Sequence, residues 1–399
     1  MKNPLVSVCL MSYRDLEYMD ECLNSIFAQT YDNIELVISN DGHEDFCIDS
    51  VKSNVNKKAG PNIKNLIVSK NSQNLGINKH QNVMLDLSAG EYIAFLACDD
   101  IFNNKHVIED VVKGFDSLPE DVMHIVGQVR VMNHDMSEVK YLQVSDSKRK
   151  IINETPPYEL YRNYLVLNSF MPMDGVYKRE AFSNFGRFVE DYLMLSSWQN
   201  PINYARQGMR TYCMDITIYD KRLGGISKRE LCSEDLSQKA LISDIIRLQD
   251  NLLKRTDELS PHILDEIRTM RDIQQQRFDE TWGGVCGYRP RKDTAVPSVV
   301  VFGAGKVAQG IASKFGGIDI KYYVDNNRIR HGTMFNGKPV KSFEELCADE
   351  DRDFIVLIGV AKFHTEIKRQ LIGQGVFDDS RIINYVDFCK QYYEPIMKR

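Results

Sequence analysis

Short apolar runs alternate with amphipathic stretches over the first 116 residues. The runs predict buried strands at 5–10, 34–38, 65–68 and 92–96. Residues 16–27 carry apolar side chains at helical spacing, and residues 78–88 favour a second helix. Strands that alternate with helices are typical of a mostly parallel α/β sheet, which we predict for this region.

The pattern changes further along the chain. Between about 120 and 225 it is less regular, with a strand predicted at 124–129. Residues 233–281 carry apolar positions every three or four residues, and Ser260-Pro261 interrupts them, which predicts at least two helices. These helices either pack on the domains that they connect or pair two chains as a homodimer, because the heptad pattern is too short to require a coiled coil.

A second α/β unit is predicted after a linker. Gly283-Gly284 and the basic stretch 289–292 are typical of a linker. Three apolar runs then predict strands at 299–302, 320–324 and 354–359. We therefore predict three parts, which are an N-terminal domain at 1–228, a helical connector at 229–293 and a C-terminal domain at 294–399.

Composition narrows the classes of function. The 399 residues carry a net charge of −6, which disfavours a dedicated nucleic-acid binder. Nine cysteines without a C-x-x-C pair disfavour zinc knuckles and a disulfide scaffold, and they favour a reducing, cytoplasmic setting. No apolar run reaches the roughly 20 residues of a membrane span, and the first residues do not resemble a signal peptide.

Acidic residues follow two of the predicted strands. Asp41 closes the second strand, and Asp99 and Asp100 close the fourth. Open α/β sheets bind ligands at the carboxyl ends of their strands. Two adjacent carboxylates are costly to bury without a counter-ion, and a divalent cation that holds a diphosphate would balance them. On chemistry alone, a helix N-cap is the alternative interpretation of these acids.

Several segments, in order, resemble the opening of a family 2 glycosyltransferase. These are 5–13, 22–31, 34–42, 74–76 and 90–100. The resemblance implies a GT-A fold, a nucleotide-diphosphate sugar donor and inversion at the anomeric carbon. A UDP-sugar is the first choice of donor, and a dTDP- or GDP-sugar is the next.

The resemblance also implies roles for single residues. Asp41 falls on the acid that contacts the nucleotide base, and Ser12 and Tyr13 fall on the loop that lines the base and ribose pocket. Asp100 falls on the ligand of Mn²⁺ or Mg²⁺, while Asp99 faces the ribose or shares the ion.

The chain departs from the family pattern at three places. Ala97 stands where the family often has Asp, and 40–43 reads Asn-Asp-Gly-His where the family often has Asp-Asp-Gly-Ser. Gln81 stands where an Arg commonly precedes the family Asn. We expect Lys79 or His80 to supply the missing donor toward the nucleotide.

Inverting transfer needs a base that takes the acceptor proton. Glu190-Asp191 resembles the family's later acid pair, with Asp191 at the position of the base and Glu190 as the second candidate. A surface acid pair at a helix start is the alternative. Upstream, Asp174 either contacts the acceptor or caps a turn.

A basic stretch at 219–227 resembles the loop that closes over the diphosphate in this family. Lys221 and Arg222 within it are candidates to neutralise the leaving group. A solvated basic turn is the alternative.

A second candidate site lies near the C-terminus. Gly303, Gly305 and Lys306 belong to a G-x-G-x-x-A turn after a strand, and Asp325 follows at the end of the next strand, where it could bind a ribose. The region resembles small Rossmann-like modules attached to sugar-modifying and capsule-assembly proteins. It therefore binds NAD or another nucleotide, or it is a structural or assembly module.

We interpret the sequence as a metal-dependent inverting glycosyltransferase with a GT-A domain, a helical connector and a C-terminal Rossmann-like α/β domain. The expected partners are a nucleotide-sugar and a glycan or lipid-linked acceptor in surface polysaccharide synthesis. A lipid-linked acceptor would bring this cytoplasmic protein to the inner face of the membrane. The alternatives are an NAD-dependent sugar-nucleotide enzyme and an inactive sugar-nucleotide-binding scaffold.

Overall fold

The computed structural model describes residues 3–14, 16–166, 174–223, 236–360, 364–375 and 377–398. The chain divides into two compact units, 1–230 and 231–399. Each unit has hydrophobic core clusters of its own. The three-part division expected from the sequence stays a prediction.

The described part of the first unit contains strands β1 to β9 and helices α1 to α8. In chain order, the strands are Val6–Ser12, Ile34–Asn40, Ile63–Lys70, Tyr92–Ala97, Ile101–Phe102, Val122–Met132, Val139–Leu142, Gly175–Lys178 and Arg210–Arg222. The helices are Met19–Phe27, Ile48–Lys58, Ile77–Leu87, Val107–Ser117, Asp146–Glu154, Pro157–Val166, Glu180–Asn184 and Gln199–Arg206. The four N-terminal strands predicted from apolar runs are confirmed, with slightly different bounds.

These strands form one sheet in the order β3-β2-β1-β4-β8-β6-β9-β5, with β7 paired to β6. The first four in this order are parallel to one another. Strand β2 is buried at all seven positions, which include the polar Glu35, Ser39 and Asn40 as well as its apolar residues. Because β2, β1 and β4 are adjacent and parallel, the residues after Asn40, Ser12 and Ala97 lie at one edge of the sheet.

The less regular region contains two long parallel neighbours, β6 and β9. The sequence pattern indicated part of β6 but missed β9. Lys221 and Arg222, predicted to lie in a basic loop, are the last two residues of β9. The prediction was wrong there because β9 mixes polar, charged and β-branched residues, which conceals the strand. The rest of the predicted loop, 224–227, falls outside the described residues.

The described part of the second unit contains strands β10 to β17 and helices α9 to α14. The strands are Val285–Pro290, Val299–Phe302, Ile320–Val324, Met334–Phe335, Lys338–Lys341, Ile355–Ile358, Ile382–Asn384 and Tyr393–Met397. The helices are Leu236–Leu253, Pro261–Thr281, Lys306–Lys314, Phe343–Ala348, His364–Gly373 and Tyr385–Tyr392. The main sheet has the order β13-β14-β12-β11-β15-β16 and is parallel from β14 to β16, while β10 and β17 form an antiparallel pair.

The two predicted helices of 233–281 are confirmed as α9 and α10. The Ser260 side chain accepts a hydrogen bond from Ile263 N and caps α10, and Pro261 occupies its first turn. Ile273 on α10 belongs to the same buried cluster as Val285 and Tyr288, so this helix packs on the core of the second unit. The homodimer alternative stays a prediction.

The linker predicted around 283–292 is wrong in part, because Val285–Pro290 is strand β10. Its partner, β17, lies about a hundred residues away in sequence. Gly, Pro and Arg residues hid a strand whose inward side chains, Val285 and Tyr288, are buried. Among the helices of the described residues, none has the length and apolar character to cross a membrane.

Candidate active site

Asp41 lies directly after β2 and organises the loop that follows β3. Its buried carboxylate accepts hydrogen bonds from Asn71 Nδ2 at 2.8 Å, from Leu75 N at 2.9 Å and from Gly76 N at 3.0 Å. Gly42 next to it has φ +83°, and a β-carbon there would lie 2.4 Å from the main-chain carbon of Gln73. The close approach of two backbones therefore requires glycine at this turn.

The structure brings Ser12 and Tyr13 next to Asp41, as the sequence predicted for one pocket. Asp41 N donates to Ser12 O at 2.9 Å. The amide of Asn40 donates to Ser12 Oγ at 3.1 Å and to Tyr13 O at 3.0 Å. The Tyr13 ring packs edge-on against His43, with 5.7 Å between the ring centroids. Asn40, where the family often has an acid, therefore fixes the loop after β1 with donors that a carboxylate lacks.

The acid pair after β4 does not cap a helix, because the next element is β5. Asp100 is buried, and its Oδ1 accepts a hydrogen bond from Arg222 N at 3.1 Å. Lys221 Nζ lies 3.9 Å from Asp100 Oδ2 and 2.6 Å from Asp174 Oδ2. The N-cap interpretation is therefore wrong, and the acid faces a cation.

Burial and charge act in opposite directions in this cluster. Burial raises the pKa of Asp100 to about 7, although the nearby Lys221 ammonium opposes the shift. Burial alone would lower the pKa of Lys221, but the Asp174 and Asp100 carboxylates outweigh it and raise that pKa. Lys221 therefore remains an ammonium at neutral pH.

The Arg222 side chain contacts different residues from those that pair with Lys221. Its Nη2 lies 2.5 Å from Glu21 Oε2, its Nε donates to Asp99 O at 3.3 Å, and its guanidinium lies 4.1 Å from the centroid of the Tyr18 ring. These contacts hold the end of β9 against the residues after β4. Lys221 is thus the better placed of the two predicted partners of a leaving diphosphate.

The donor set fits a divalent cation that is shared with a phosphate. No group of three or more His, Cys, Asp or Glu side chains suited to a metal occurs among the described residues. However, the carboxylates of Asp100 and Asp174 both face the positive charge of Lys221 Nζ, so their oxygens are arranged around a cation. Mg²⁺ is commonly bound by one or two carboxylates plus substrate phosphates. Asp100, with Asp174 and the adjacent Asp99, can offer such oxygens.

Glu190 and Asp191 lie in an exposed turn, and the next helix, α8, begins only at Gln199. The alternative of an acid pair at a helix start is therefore wrong. Asn82 Nδ2 donates to Glu190 Oε1 at 2.9 Å and to Phe188 O at 2.8 Å. Asn78 Nδ2 donates to Tyr192 O at 3.2 Å.

Asn78 and Asn82 are positioning residues that the sequence interpretation missed in this role. They lie four residues apart on α3, so both face the segment that carries the acids. Both are buried, and a pair of buried amides at helical spacing was the available signal. Asn200 Nδ2 in turn donates to Asn78 Oδ1 at 2.8 Å, which ties α8 to the same network.

A cleft of about 350 Å³ opens beside this turn. Its lining residues are mostly polar: Lys79, Asn82, Val83, Asp86, Arg187, Phe188 and Glu190. Lys79 and Glu190 thus line the same cleft, and the predicted contact of Lys79 with the nucleotide stays a prediction. Asp41, Asp99 and Asp100 do not line this cleft.

Residues 7–182 match the family model described as glycosyl transferase family 2. Most of the first unit is therefore similar to family 2 glycosyltransferases. The match includes Ser12, Asp41 and Asp100, and it ends before Asp191 and Lys221. The parallel β3-β2-β1-β4 order agrees with the GT-A-like architecture expected from the sequence.

Curated relatives are similar to part of the chain over part of their own length. An uncharacterized glycosyltransferase of Haemophilus influenzae is 35% identical over 104 residues, which cover 25% of this chain and 30% of the relative. Glycosyltransferase GlyA of Streptococcus pneumoniae is 30% identical over 102 residues, which cover 26% of this chain and 14% of the relative. The chain spans less than a third of the length of the first curated relatives that it matches.

Two solved structures are also similar to parts of the chain. S. aureus TarS 1-349 in complex with UDP-GlcNAc has 19% identity and a TM-score of 0.47, covering 69% of this chain and 74% of TarS 1-349. Mannosyltransferase PcManGT from Pyrobaculum calidifontis, in complex with GDP-Man and Mn²⁺, has 15% identity and a TM-score of 0.45, covering 70% of each chain.

In the second unit, residues 296–383 match the family model described as C2185-like, N-terminal. The glycine turn predicted there follows β11. Gly303 has φ +103°, and a β-carbon on it would lie 2.4 Å from Val360 Cγ1, so glycine allows close packing. Gly305 immediately precedes α11, and the side chain of Lys306 falls outside the described residues.

Asp325, the predicted ribose ligand, binds the protein's own backbone. Its Oδ2 accepts from Ala304 N at 2.9 Å and its Oδ1 accepts from Asn327 N at 2.8 Å. His331 Nε2 lies 2.7 Å from Asp325 O. In this conformation, Asp325 closes the glycine turn onto the end of β12, and nucleotide binding there stays a prediction.

Proposed function

We propose that the protein is an inverting glycosyltransferase that uses a nucleotide-diphosphate sugar, with UDP-sugar as the first choice. The acceptor is the hydroxyl of a glycan or a lipid-linked glycan in surface polysaccharide synthesis. One observation carries the proposal: the buried Asp100, inside the segment that matches the family 2 model, faces a positive charge at the carboxyl edge of the parallel strands. A negatively charged diphosphate with a cation suits that position.

The described residues support a division of roles. Ser12, Tyr13 and Asp41 form the side that would hold the base and ribose. Lys221 supplies a positive charge for the phosphate oxygens as the leaving group gains charge. A divalent cation at Asp100 would stabilise the same charge as a Lewis acid.

The transfer step requires a base on the acceptor side. The acceptor oxygen forms a bond to the anomeric carbon, while the bond from that carbon to the phosphate oxygen breaks and the nucleoside diphosphate leaves with the electron pair. Asp191 takes the acceptor proton, and inversion follows because attack and departure occur on opposite faces. Asn78 and Asn82 hold the Asp191 segment against α3.

The test is a panel of UDP-, dTDP- and GDP-sugars, with Mn²⁺ or EDTA and candidate glycan acceptors. Release of nucleoside diphosphate together with a glycosylated product would support transfer. Binding of a nucleotide-sugar without hydrolysis or transfer, under every condition, would favour the inactive scaffold instead. Loss of nucleoside diphosphate release when EDTA is present would support the proposed metal dependence.

The second unit is proposed as a Rossmann-like module, because a glycine turn links β11 to α11. A thermal shift of the full chain with NAD and with UDP tests whether this module binds a nucleotide. Reduction or oxidation of the cofactor on addition of a nucleotide-sugar would instead support the NAD-dependent alternative.

A further inference from the structure

Three elements of the first unit meet at the Lys221 ammonium. Lys221 comes from the end of β9, Asp174 immediately precedes β8, and Asp100 lies between β4 and β5. The ammonium lies 2.6 Å from Asp174 Oδ2 and 3.9 Å from Asp100 Oδ2. The short distance marks a tight ion pair with Asp174, and the longer one marks a looser attraction to Asp100.

The cluster differs from an exposed ion pair. The exposed fractions of the side chains are 27% for Lys221, 31% for Asp174 and 10% for Asp100. One ammonium faces two carboxylates, which leaves the group short of positive charge whenever both acids are ionised. Charges that are partly removed from water interact more strongly than charges on the surface, so the two carboxylates favour a cation of higher charge than the ammonium.

A divalent cation and the ammonium cannot both occupy the space between these oxygens. They would need the same carboxylates, and their like charges would repel each other at contact distance. Lys221 has a long and flexible side chain, so it can move when a different anion is offered. The donor diphosphate is such an anion, if the proposed function is correct.

We propose that Lys221 is the resident counter-cation of this site, that it competes with a divalent cation for the Asp100 and Asp174 carboxylates, and that it transfers to the donor diphosphate when the ion binds. Competition makes the ion bind weakly by itself. A nucleoside diphosphate strengthens ion binding, because it gives the displaced ammonium a new partner and gives the ion further oxygen ligands. By linkage, the ion strengthens diphosphate binding by the same factor.

The experiment measures Mn²⁺ binding to the full chain by electron paramagnetic resonance, without and with UDP. The test variant is Lys221→Met, which keeps much of the side-chain length and removes the charge. Lys221→Arg keeps the charge. The matched control is Lys140→Met, because Lys140 is an exposed lysine of the same unit that pairs with Glu138 at 2.6 Å.

We expect Lys221→Met to bind Mn²⁺ about tenfold more tightly than the wild type when UDP is absent. Lys221→Arg and Lys140→Met should bind like the wild type. UDP should strengthen Mn²⁺ binding by about fivefold or more in the wild type, and by clearly less in Lys221→Met.

Equal or weaker Mn²⁺ binding by a folded Lys221→Met protein, including no detectable binding by either protein, would overturn the competition. Circular dichroism and the midpoint of thermal unfolding report whether the variant is folded. If it is not, Lys221→Gln replaces it in the same comparison. The measurement does not depend on turnover, so the competition can hold while the proposed transferase activity fails, and the reverse.

Discussion

Asn82 donates a hydrogen bond of 2.9 Å to the Glu190 carboxylate, 108 residues further along the chain. The same side chain bonds Phe188 twice, since its Nδ2 donates to Phe188 O at 2.8 Å and its Oδ1 accepts from Phe188 N at 3.2 Å. One buried amide therefore fixes the backbone that leads to the acid pair. The candidate base is positioned from a helix, although the turn that carries it is exposed.

We predict that Asn82→Ala lowers the free energy of unfolding by about 1–3 kcal/mol, because buried backbone groups of Phe188 lose their partner. The rate of transfer, kcat, should fall by about tenfold or more, since a small misplacement of a catalytic group is costly. The affinity for the nucleotide should change little. Urea unfolding, steady-state kinetics and calorimetry measure these three effects.

Asn54→Ala is the matched control for this prediction. Asn54 is a half-buried residue of α2 whose amide donates to Asp20 Oδ1 of α1 at 2.7 Å rather than to the segment that carries the acid pair. It should leave kcat unchanged. A normal kcat in Asn82→Ala would contradict the positioning role, even if stability fell.

Asp191→Asn should retain nucleotide-sugar binding and lose most transfer, by about a hundredfold or more, because an amide cannot accept the acceptor proton. The measurement is product formation at saturating donor, with donor affinity followed separately by calorimetry. This prediction rests on the proposed function and on the resemblance of Glu190-Asp191 to the family acid pair.

Asp86→Asn is the appropriate comparison for Asp191→Asn. Asp86 is an exposed acid that lines the cleft shared by Lys79 and Glu190, and it pairs with Arg187 at 3.0 Å. Its loss should leave the rate of transfer nearly unchanged. Near-normal transfer by Asp191→Asn, in a folded protein, would remove Asp191 from the role of base. Glu190→Gln would then be the next variant to measure.

The predicted strands and the missed strands differ in how their side chains are buried. Strand β2 is buried on both faces, and its apolar residues Ile34 and 36–38 made the strand visible in the sequence despite the buried Glu35. Strands β9 and β10 mix buried with exposed or half-buried positions and include charged residues. Their partners lie far away along the chain, so local sequence patterns carried too little information to place them.

The residues of the candidate site also differ in how far the sequence could predict their positions. Asp41 and Asp100 were predictable, because a parallel sheet brings the carboxyl ends of its strands to one edge. The ion pair between Lys221 and Asp174 could not be predicted from the sequence, because it depends on the register of β9 against its neighbours. The amide pair Asn78 and Asn82 could have been identified by its helical spacing. The backbone groups that these amides bond could not have been identified from the sequence.

Asp100→Asn should stabilise the protein at pH 8 by about 1–3 kcal/mol, while it weakens Mn²⁺-dependent binding of the nucleotide. Burial raises the pKa of Asp100 to about 7, so the ionised form is costly in the folded state. An amide at this position retains an acceptor for Arg222 N, and Lys221 retains Asp174.

The sign of the effect also predicts its pH dependence. A folded-state pKa above the unfolded one means that the folded protein holds the proton more tightly, so stability from this group is lost as the pH rises through about 7. The stability difference between variant and wild type should therefore shrink from pH 8 toward pH 5. Asp121→Asn, at an exposed acid that pairs with Arg210 at 3.2 Å, is the control. A lower stability of Asp100→Asn at pH 8 would contradict the argument.

His364, the first residue of α13, should make the second unit sensitive to acid. Burial and the nearby Lys368 lower the pKa of His364 to about 4, while Asp387 and Asp265 oppose the shift. The Nε2 atom is buried and has no hydrogen-bond partner among the described residues. Protonation would place a largely desolvated charge next to Lys368, which Asp387 and Asp265 offset only in part, so the fold favours the neutral form.

A lowered folded-state pKa means that the unfolded chain binds the proton first as the pH falls. The stabilising contribution is therefore complete above about 6.5 and is lost progressively toward pH 4, by at most about 3 kcal/mol. We predict that His364→Gln loses less unfolding free energy than the wild type between pH 7 and pH 4.5 in urea titrations. His262→Gln, at an exposed histidine of the same unit, should follow the wild type. Parallel curves for wild type and His364→Gln would show that His364 does not titrate as its buried position requires.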